Sequence, residues 1–290
     1  MVADLSSRAK FRLSGADRVR YLNGQVTNNV ARLKMGEACY ALVCNHKGKV
    51  EADVVVHARD GDFLIDADGS LRESLLARLS KYIIADDCEV IDVTEEWALF
   101  HEMGTAVGVG SQRPECCCDV VAEINRFGVS GRDCWLPTEE AGPDAVLASE
   151  ALDLIRLEYG VPVWGAELTP DVLPQEARLE DRAIDFNKGC YIGQEIISRI
   201  KSAGKVNREL RALETVEGAD WLCAGHRLFS GPEFIEAGVV TSARFHPHWQ
   251  KSIALGYVKR TLADAGGVFR AGPGKNRLCG TVKFRHTPAA

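Results

Sequence analysis

Lys188-Gly189-Cys190-Tyr191-Ile192-Gly193-Gln194-Glu195 is the stretch on which the reading of this chain turns. In an extended segment Lys188 and Cys190 leave the backbone on the same side, so the ammonium can stabilise a thiolate. From about Gly193 the spacing of Glu195, Ile196, Ile197, Arg199, Ile200 and Lys201 predicts a helix. Cys190 would then lie just before a helix N-terminus, where unpaired N–H groups also favour negative charge. The glycines let a ligand approach the backbone closely. The competing reading is a tight loop around a buried, inert cysteine.

Working outward, Arg156, Glu158, Leu157-Glu158-Tyr159-Gly160-Val161-Pro162, Trp164-Gly165-Ala166-Glu167-Leu168 and Leu173-Pro174-Gln175-Glu176 lead into the octapeptide. Leu22 to Val30, Cys44-Asn45-His46-Lys47-Gly48-Lys49-Val50 and Lys251 to Val258 complete the pattern. Together these segments resemble the YgfZ family, folate-binding relatives of the glycine cleavage T-protein that include a mitochondrial iron–sulfur assembly factor. The resemblance implies two ferredoxin-like α+β units, interleaved within residues 1–203, and a small β-barrel over 204–290. It also implies that Glu158, with Arg156 beside it, holds a pterin edge, that Lys188, Tyr191 and Gln194 contribute to folate binding, and that Asp53 falls on the T-protein's catalytic aspartate. Two functions follow from it. One is a tetrahydrofolate-binding accessory protein for assembly or repair of iron–sulfur enzymes, with Cys190 and Lys188 at the working site and iron–sulfur enzymes or their assembly machinery as partners. The other is a folate-dependent aminomethyl- or methyltransferase using Asp53. A folate-fold protein acting only as a binding module is a third option.

A chain of 290 residues can bury a large core and usually divides into two or three units. Its net charge of −6 argues against a basic nucleic-acid-binding surface. No long apolar run predicts a membrane span and residues 1–10 lack a signal-peptide core, so a cytoplasmic protein is expected. The ten cysteines are scattered, without a secreted disulfide framework or paired zinc spacing, and no metal site is expected. Cys116-Cys117-Cys118 reads as strand or loop, His246-Pro247-His248 as a loop with solvated histidines, and the glycines of 104–110 as no nucleotide loop.

Strands are expected at Phe11 to Leu13, Ala38 to Cys44, Lys49 to Ala58, Phe63 to Asp66, Cys88 to Val93 and Trp97 to His101. Helices are expected at Ala16 to Asn23, along the Leu71, Leu75, Leu76, Leu79, Tyr82, Ile83 face capped by Ser70, and from Ser149 to Glu158. After Gly204, short strands between glycine and proline turns predict the barrel. Asp53, Glu158 and Lys188 are expected to converge on one cavity, and Cys190 to be the most reactive thiol.

Overall fold

The computed structural model describes residues 1–104, 120–140, 142–216, 220–263, 266–272 and 277–282. The Cys116-Cys117-Cys118 run and residues 105–110 lie outside that set.

The first strand, β1 (Val2–Asp4), leaves its sequence neighbours and joins a second sheet, so the two α+β layers are threaded through one another. The first sheet is built from β2 (Ala9–Ser14), β3 (Ala38–Cys44), β4 (Val50–Ala58), β5 (Asp62–Ala67) and β6 (Glu89–Asp92), in the antiparallel order β3-β4-β5-β2-β6. One face carries Phe11, Leu13, Ala41, Val43, Val54, Val56, Phe63 and Ile65. It packs on α1 (Arg18–Gln25) through Tyr21 and Leu22 and on α2 (Arg72–Ser80) through Leu75 and Leu79. The strand alternation dictates this, since residues two apart share a face. The expected cap of α2 moves back two residues: a 3-10 turn, Gly69–Leu71, precedes the helix, and the Asp68 carboxylate accepts from the Ser70 N–H at 2.9 Å. The helix also stops at Ser80, which leaves Tyr82 outside it, under the Arg78 guanidinium at 4.3 Å.

The second sheet comprises β1, β7 (Trp97–Met103), β8 (Val120–Glu123) and β9 (Gly131–Pro137), in the order β1-β7-β9-β8. The other face of the first sheet turns toward it, with Leu64 packed against Leu99, Val120 and Trp135. Next comes α3 (Ser149–Tyr159), ended by Gly160 in the left-handed region at φ +70°. Two helices follow, α4 (Glu180–Ala183) and α5 (Gln194–Ala203).

The closing unit is a closed barrel of β10 (Arg208–Thr215), β11 (Arg227–Ser230), β12 (Ile235–His246), β13 (Lys251–Lys259), β14 (Val268–Ala271) and β15 (Arg277–Val282). Its strands run in the order β10-β13-β12-β11-β14-β15, around Leu213, Leu228, Val240, Val258 and Phe269. A separate core ties everything together: Leu42, Cys44 and Val50 of the first sheet, Leu157 of α3, Tyr191 and Ile197 of the octapeptide region, and Leu210, Ile253 and Leu255 of the barrel. The mixed α+β architecture with a C-terminal barrel therefore matches the expectation. No helix among the described residues is long and apolar enough to cross a membrane.

Candidate functional site

Strand β4 reads Val-Glu-Ala-Asp-Val-Val-Val-His-Ala, and its alternation puts Asp53, Val55 and His57 on the face turned away from α1 and α2. Asp53 is 8% exposed, and its Oδ1 is buried without a hydrogen-bond partner. The Tyr40 hydroxyl, from the neighbouring strand, donates to Oδ2 at 3.3 Å. Burial pushes the Asp53 carboxyl above the usual carboxylate range, with the Arg8 guanidinium pulling the other way. The same burial, together with the Asp53 charge, pushes the Tyr40 hydroxyl well up.

Asp53 lines a cavity of about 70 Å³ with Arg8, Tyr40, Val55, Arg126 and Arg182, closed on another side by Val161 to Val163. Arg182 comes from α4. Its Nη2 donates to the carbonyls of Asn125 (2.6 Å) and Arg126 (3.4 Å), and its guanidinium sits 5.1 Å from the centre of the Tyr40 ring. Among the described residues no carboxylate lies within ion-pair distance of it, and burial pushes its pKa down.

Behind the cavity the two sheets are joined by a buried charge network. Arg126 forks onto Asp66 of β5 (2.6 and 3.0 Å) and Asp133 of β9 (2.7 to 2.9 Å). Arg8 pairs with Asp66 as well. His101 Nδ1 lies 2.8 Å from Asp133, and His57 Nε2 lies 3.2 Å from Asp133 and 3.5 Å from Asp66. Burial alone would raise both aspartates, but Arg126, joined by Arg8 and His57 at Asp66 and by His101 and His57 at Asp133, outweighs it and holds them well below the usual range. Burial would likewise lower His57, and the two carboxylates overturn that and raise it. His57, Asp66 and Asp133 stand close enough to suggest a metal site. The guanidinium of Arg126 already takes the oxygens such an ion would need.

The octapeptide is organised differently from the same-side reading of its lysine and thiol. Lys188 is 7% exposed, and its ammonium donates to the carbonyls of Asn23 (2.6 Å), Val26 (2.7 Å) and Asn28 (2.7 Å). Three acceptors fully use a lysine's three donors, so the charge is spent on the end of α1 and the turn after it. Burial pushes this lysine down to about 8. Cys190 is exposed. The two side chains thus divide between interior and surface, and the shared side that the spacing argument assumed is not found. Tyr191 is buried, its ring 5.2 Å from the Lys188 ammonium. Gln194 opens α5, after Gly193 at φ +89°.

Glu158 lies at the end of α3, with its Oε1 accepting from His246 Nε2 at 2.8 Å. The Trp249 N–H donates to His246 Nδ1, so Nε2 carries the proton, and the imidazole stacks on Trp249 at 4.0 Å. His246 is therefore a buried, bonded residue rather than a solvated one. Arg156 is spent on Asp153, Glu167 and Ser242.

Of the three residues expected to converge, only Asp53 lines the cavity; the chain just past Glu158 lines it through Val161 to Val163, and Lys188 connects to it at one remove. The route runs through Asn28, whose carbonyl takes the lysine and whose Nδ2 donates to the Tyr40 carbonyl at 2.9 Å. The sequence reading missed Tyr40, Arg182 and the Arg126 network. A signal was present in part: charged residues at Asp53, His57 and Asp66 interrupt otherwise apolar strands, which is unusual unless they are partnered.

The fold is thus two threaded α+β layers followed by a barrel, and the layers enclose a cavity with an unpartnered carboxyl oxygen, lined by distant parts of one chain. Residues 1–107 match the GCVT N-terminal domain family and residues 208–285 the glycine cleavage T-protein C-terminal barrel domain. The chain belongs to the glycine cleavage T-protein superfamily at the level of both domains. It is 29% identical to an aminomethyltransferase of Rubrobacter xylanophilus over 88% of this chain and 75% of that protein. It is 27% identical to one of Geobacillus kaustophilus, covering 91% and 80%. The crystal structure of glycine cleavage system aminomethyltransferase T from Bartonella henselae has the same fold, with a TM-score of 0.80 at 21% identity, covering 99% of this chain and 84% of that one.

Proposed function

We propose that this protein binds tetrahydrofolate and transfers an aminomethyl or methyl group, with Asp53 as the reacting carboxyl. The observation that carries this reading is the orphaned, buried Oδ1 of Asp53 in a cavity between the layers. A buried carboxyl oxygen without a partner is costly unless a ligand donor meets it. Its similarity to named aminomethyltransferases supports the same direction.

Tetrahydrofolate, when bound, carries the one-carbon unit on nitrogen. Asp53 Oδ1 accepts the proton of the reacting N–H, while the Tyr40 hydroxyl fixes Oδ2 and the apolar walls keep water away. The cavity has room for that reacting edge, not for a whole bicyclic ring. In this reading Glu158 takes the pterin's amino edge in exchange for His246, and Lys188 braces the Asn28–Tyr40 wall rather than touching the ligand. The test is calorimetric titration with a panel of folates, followed by turnover of an aminomethyl donor with the tightest binder. Turnover abolished by Asp53→Asn with folate binding retained supports the reading; turnover unchanged in that variant sinks it.

A second reading, the iron–sulfur accessory protein, is favoured by the exposed thiol of Cys190 on a loop that Lys188 anchors. Complementation of a strain lacking its own homologue tests it, and full rescue by Cys190→Ala removes the thiol from the mechanism.

A further inference from the structure

We infer that a cleft between α4, the end of α5 and the barrel binds a phosphate monoester carried on a ring-bearing group, with the size and charge of a nucleoside monophosphate. The inference is independent of the transferase reading. The cleft shares no lining residue with the Asp53 cavity, and α4 divides the two, giving Arg182 to one and Glu180 and Asp181 to the other.

The cleft holds about 920 Å³, within the range of roughly 300–1,000 Å³ typical of small-molecule sites. Arg32, Arg178, Lys201, Lys205, Arg211 and Arg260 line it against four carboxylates, so a concavity of charge +2 is set in a chain of net charge −6. A phosphate monoester carries about −1.5 to −2 at neutral pH and matches that excess, whereas a single carboxylate leaves part of it standing.

The charges are also unevenly committed. Glu209 takes Arg211 at 2.7 Å and Arg260 at 3.2 Å, and Asp185 lies 3.7 Å from Arg32. Lys201 and Lys205 have no carboxylate within ion-pair distance among the described residues, and the Lys201 ammonium rests 3.5 Å from the centre of the Phe186 ring. Lys201 lies in the last turn of α5, where a cation also complements the helix dipole. Lys205 lies beyond the helix, past Gly204, so the dipole does not account for it. Arg178 lines the same cleft with its backbone in the left-handed region at φ +58°, a conformation that disfavours a long side chain and that collects at ligand sites.

The opposite wall sets the orientation. Glu180 and Asp181 of α4 repel a second negative charge and accept from hydroxyl or amino groups, so the phosphate belongs at the lysine end and the donors of a sugar or base at the other. Gln175 lines the cleft too; its Nε2 donates to the Ile197 carbonyl at 2.9 Å, and its buried Oε1 is left as an acceptor without a partner. Ile184, Phe186, Ile200 and Val206 supply apolar surface for a ring.

Calorimetric titration with adenosine monophosphate, guanosine monophosphate, inorganic phosphate and adenosine, at one pH and one salt concentration, tests this. One of the two nucleotides is expected to bind at least about tenfold tighter than phosphate or adenosine. Lys201 and Lys205 are exposed, so the double variant Lys201→Gln, Lys205→Gln is expected to keep its melting curve and its tetrahydrofolate binding while losing at least about tenfold in nucleotide affinity. Phosphate binding as tightly as both nucleotides, no saturation by either nucleotide, or nucleotide binding unchanged in the double variant overturns the proposal. Competition between nucleotide and tetrahydrofolate, or loss of tetrahydrofolate binding in the double variant, also overturns it, because the cleft then belongs to the folate site. Nucleotide binding as expected without any folate binding supports the proposal and sinks the transferase reading.

Discussion

At Asp53 a single carboxyl is held buried with one oxygen unpaired. Its pKa lies above the usual range because burial penalises the charge more than Arg8 restores it. A raised folded value means the native state holds its proton more tightly, so Asp53 stabilises the fold below about pH 3.8 and loses that contribution as pH rises through the folded value. The melting temperature of Asp53→Asn relative to wild type should therefore improve as pH rises from 4, and parallel curves at every pH would contradict the shift. Activity should fall by about 10² to 10⁴ in the same variant. The acid limb of the wild-type rate profile should sit above the ordinary aspartate range. Asp53 could be singled out from the sequence, as a candidate, because the resemblance set it three residues after Val50, and the structure puts it in the cavity wall. Arg182 was not, since nothing in Glu180-Asp181-Arg182 says which side chain faces inward; only the docking of α4 against residues 125 and 126 decides that.

The octapeptide behaves as an element whose glycines have unequal jobs. Gly193 takes φ +89°, and a Cβ there would come 2.6 Å from the Asn45 carbonyl, in the hairpin that leads to Asp53. Gly189 and Gly24 have open space around the equivalent position. Gly193→Ala should cost about 2–4 kcal/mol, combining left-handed strain with a backbone clash. Gly189→Ala should stay within about 0.5 kcal/mol. Gly24→Ala, inside α1, should gain about 0.5–1 kcal/mol from helix propensity. Chemical denaturation of the three variants checks the ordering, and equal losses at Gly193 and Gly189 would dismiss the close-contact account. Lys188→Met should cost about 2–4 kcal/mol, because three carbonyls lose their donor in the interior. The density of the motif was visible in the sequence. Its use as a clasp on α1 was not, because the acceptors are carbonyls some 160 residues away, and backbone acceptors leave no trace in residue identity.

Across the whole molecule, the Arg126 network joins the two sheets and sets how the assembly responds to pH. Asp66 and Asp133 are depressed, so their contribution is complete above about pH 3.8 and is lost as pH falls through their folded values. His57 is raised, so its contribution is complete below about pH 6.5 and is lost as pH rises through its folded value. Arg126→Met should destabilise by about 3–5 kcal/mol, since it strands two buried carboxylates. His57→Gln should remove the alkaline decline alone. Calorimetric melting between pH 3 and 9 checks both, and an alkaline decline unchanged in His57→Gln would place that limb elsewhere. Strands such as Ala38–Cys44 were legible from alternation, and the barrel from its turn-rich texture. The partnership of β1 with β7 was not, because Val2 to Asp4 is too short to carry a pattern and its register with residues 100–102 is fixed only by the finished sheet.

The Lys188 clasp also has a consequence for how the chain is made. During synthesis the hairpin bearing Tyr40 and Asp53 emerges long before the lysine that braces it. At about 5–20 residues per second, the delay is on the order of ten seconds. Throughout that interval the end of α1 and the Asn28 turn lack their cation, and for most of it the cavity has neither Val161 nor α4 to close it. The nascent N-terminal layer therefore waits on the ribosome with its ligand wall unfinished, and a transcript broken before codon 188 yields a polypeptide without the brace for the site it already encodes.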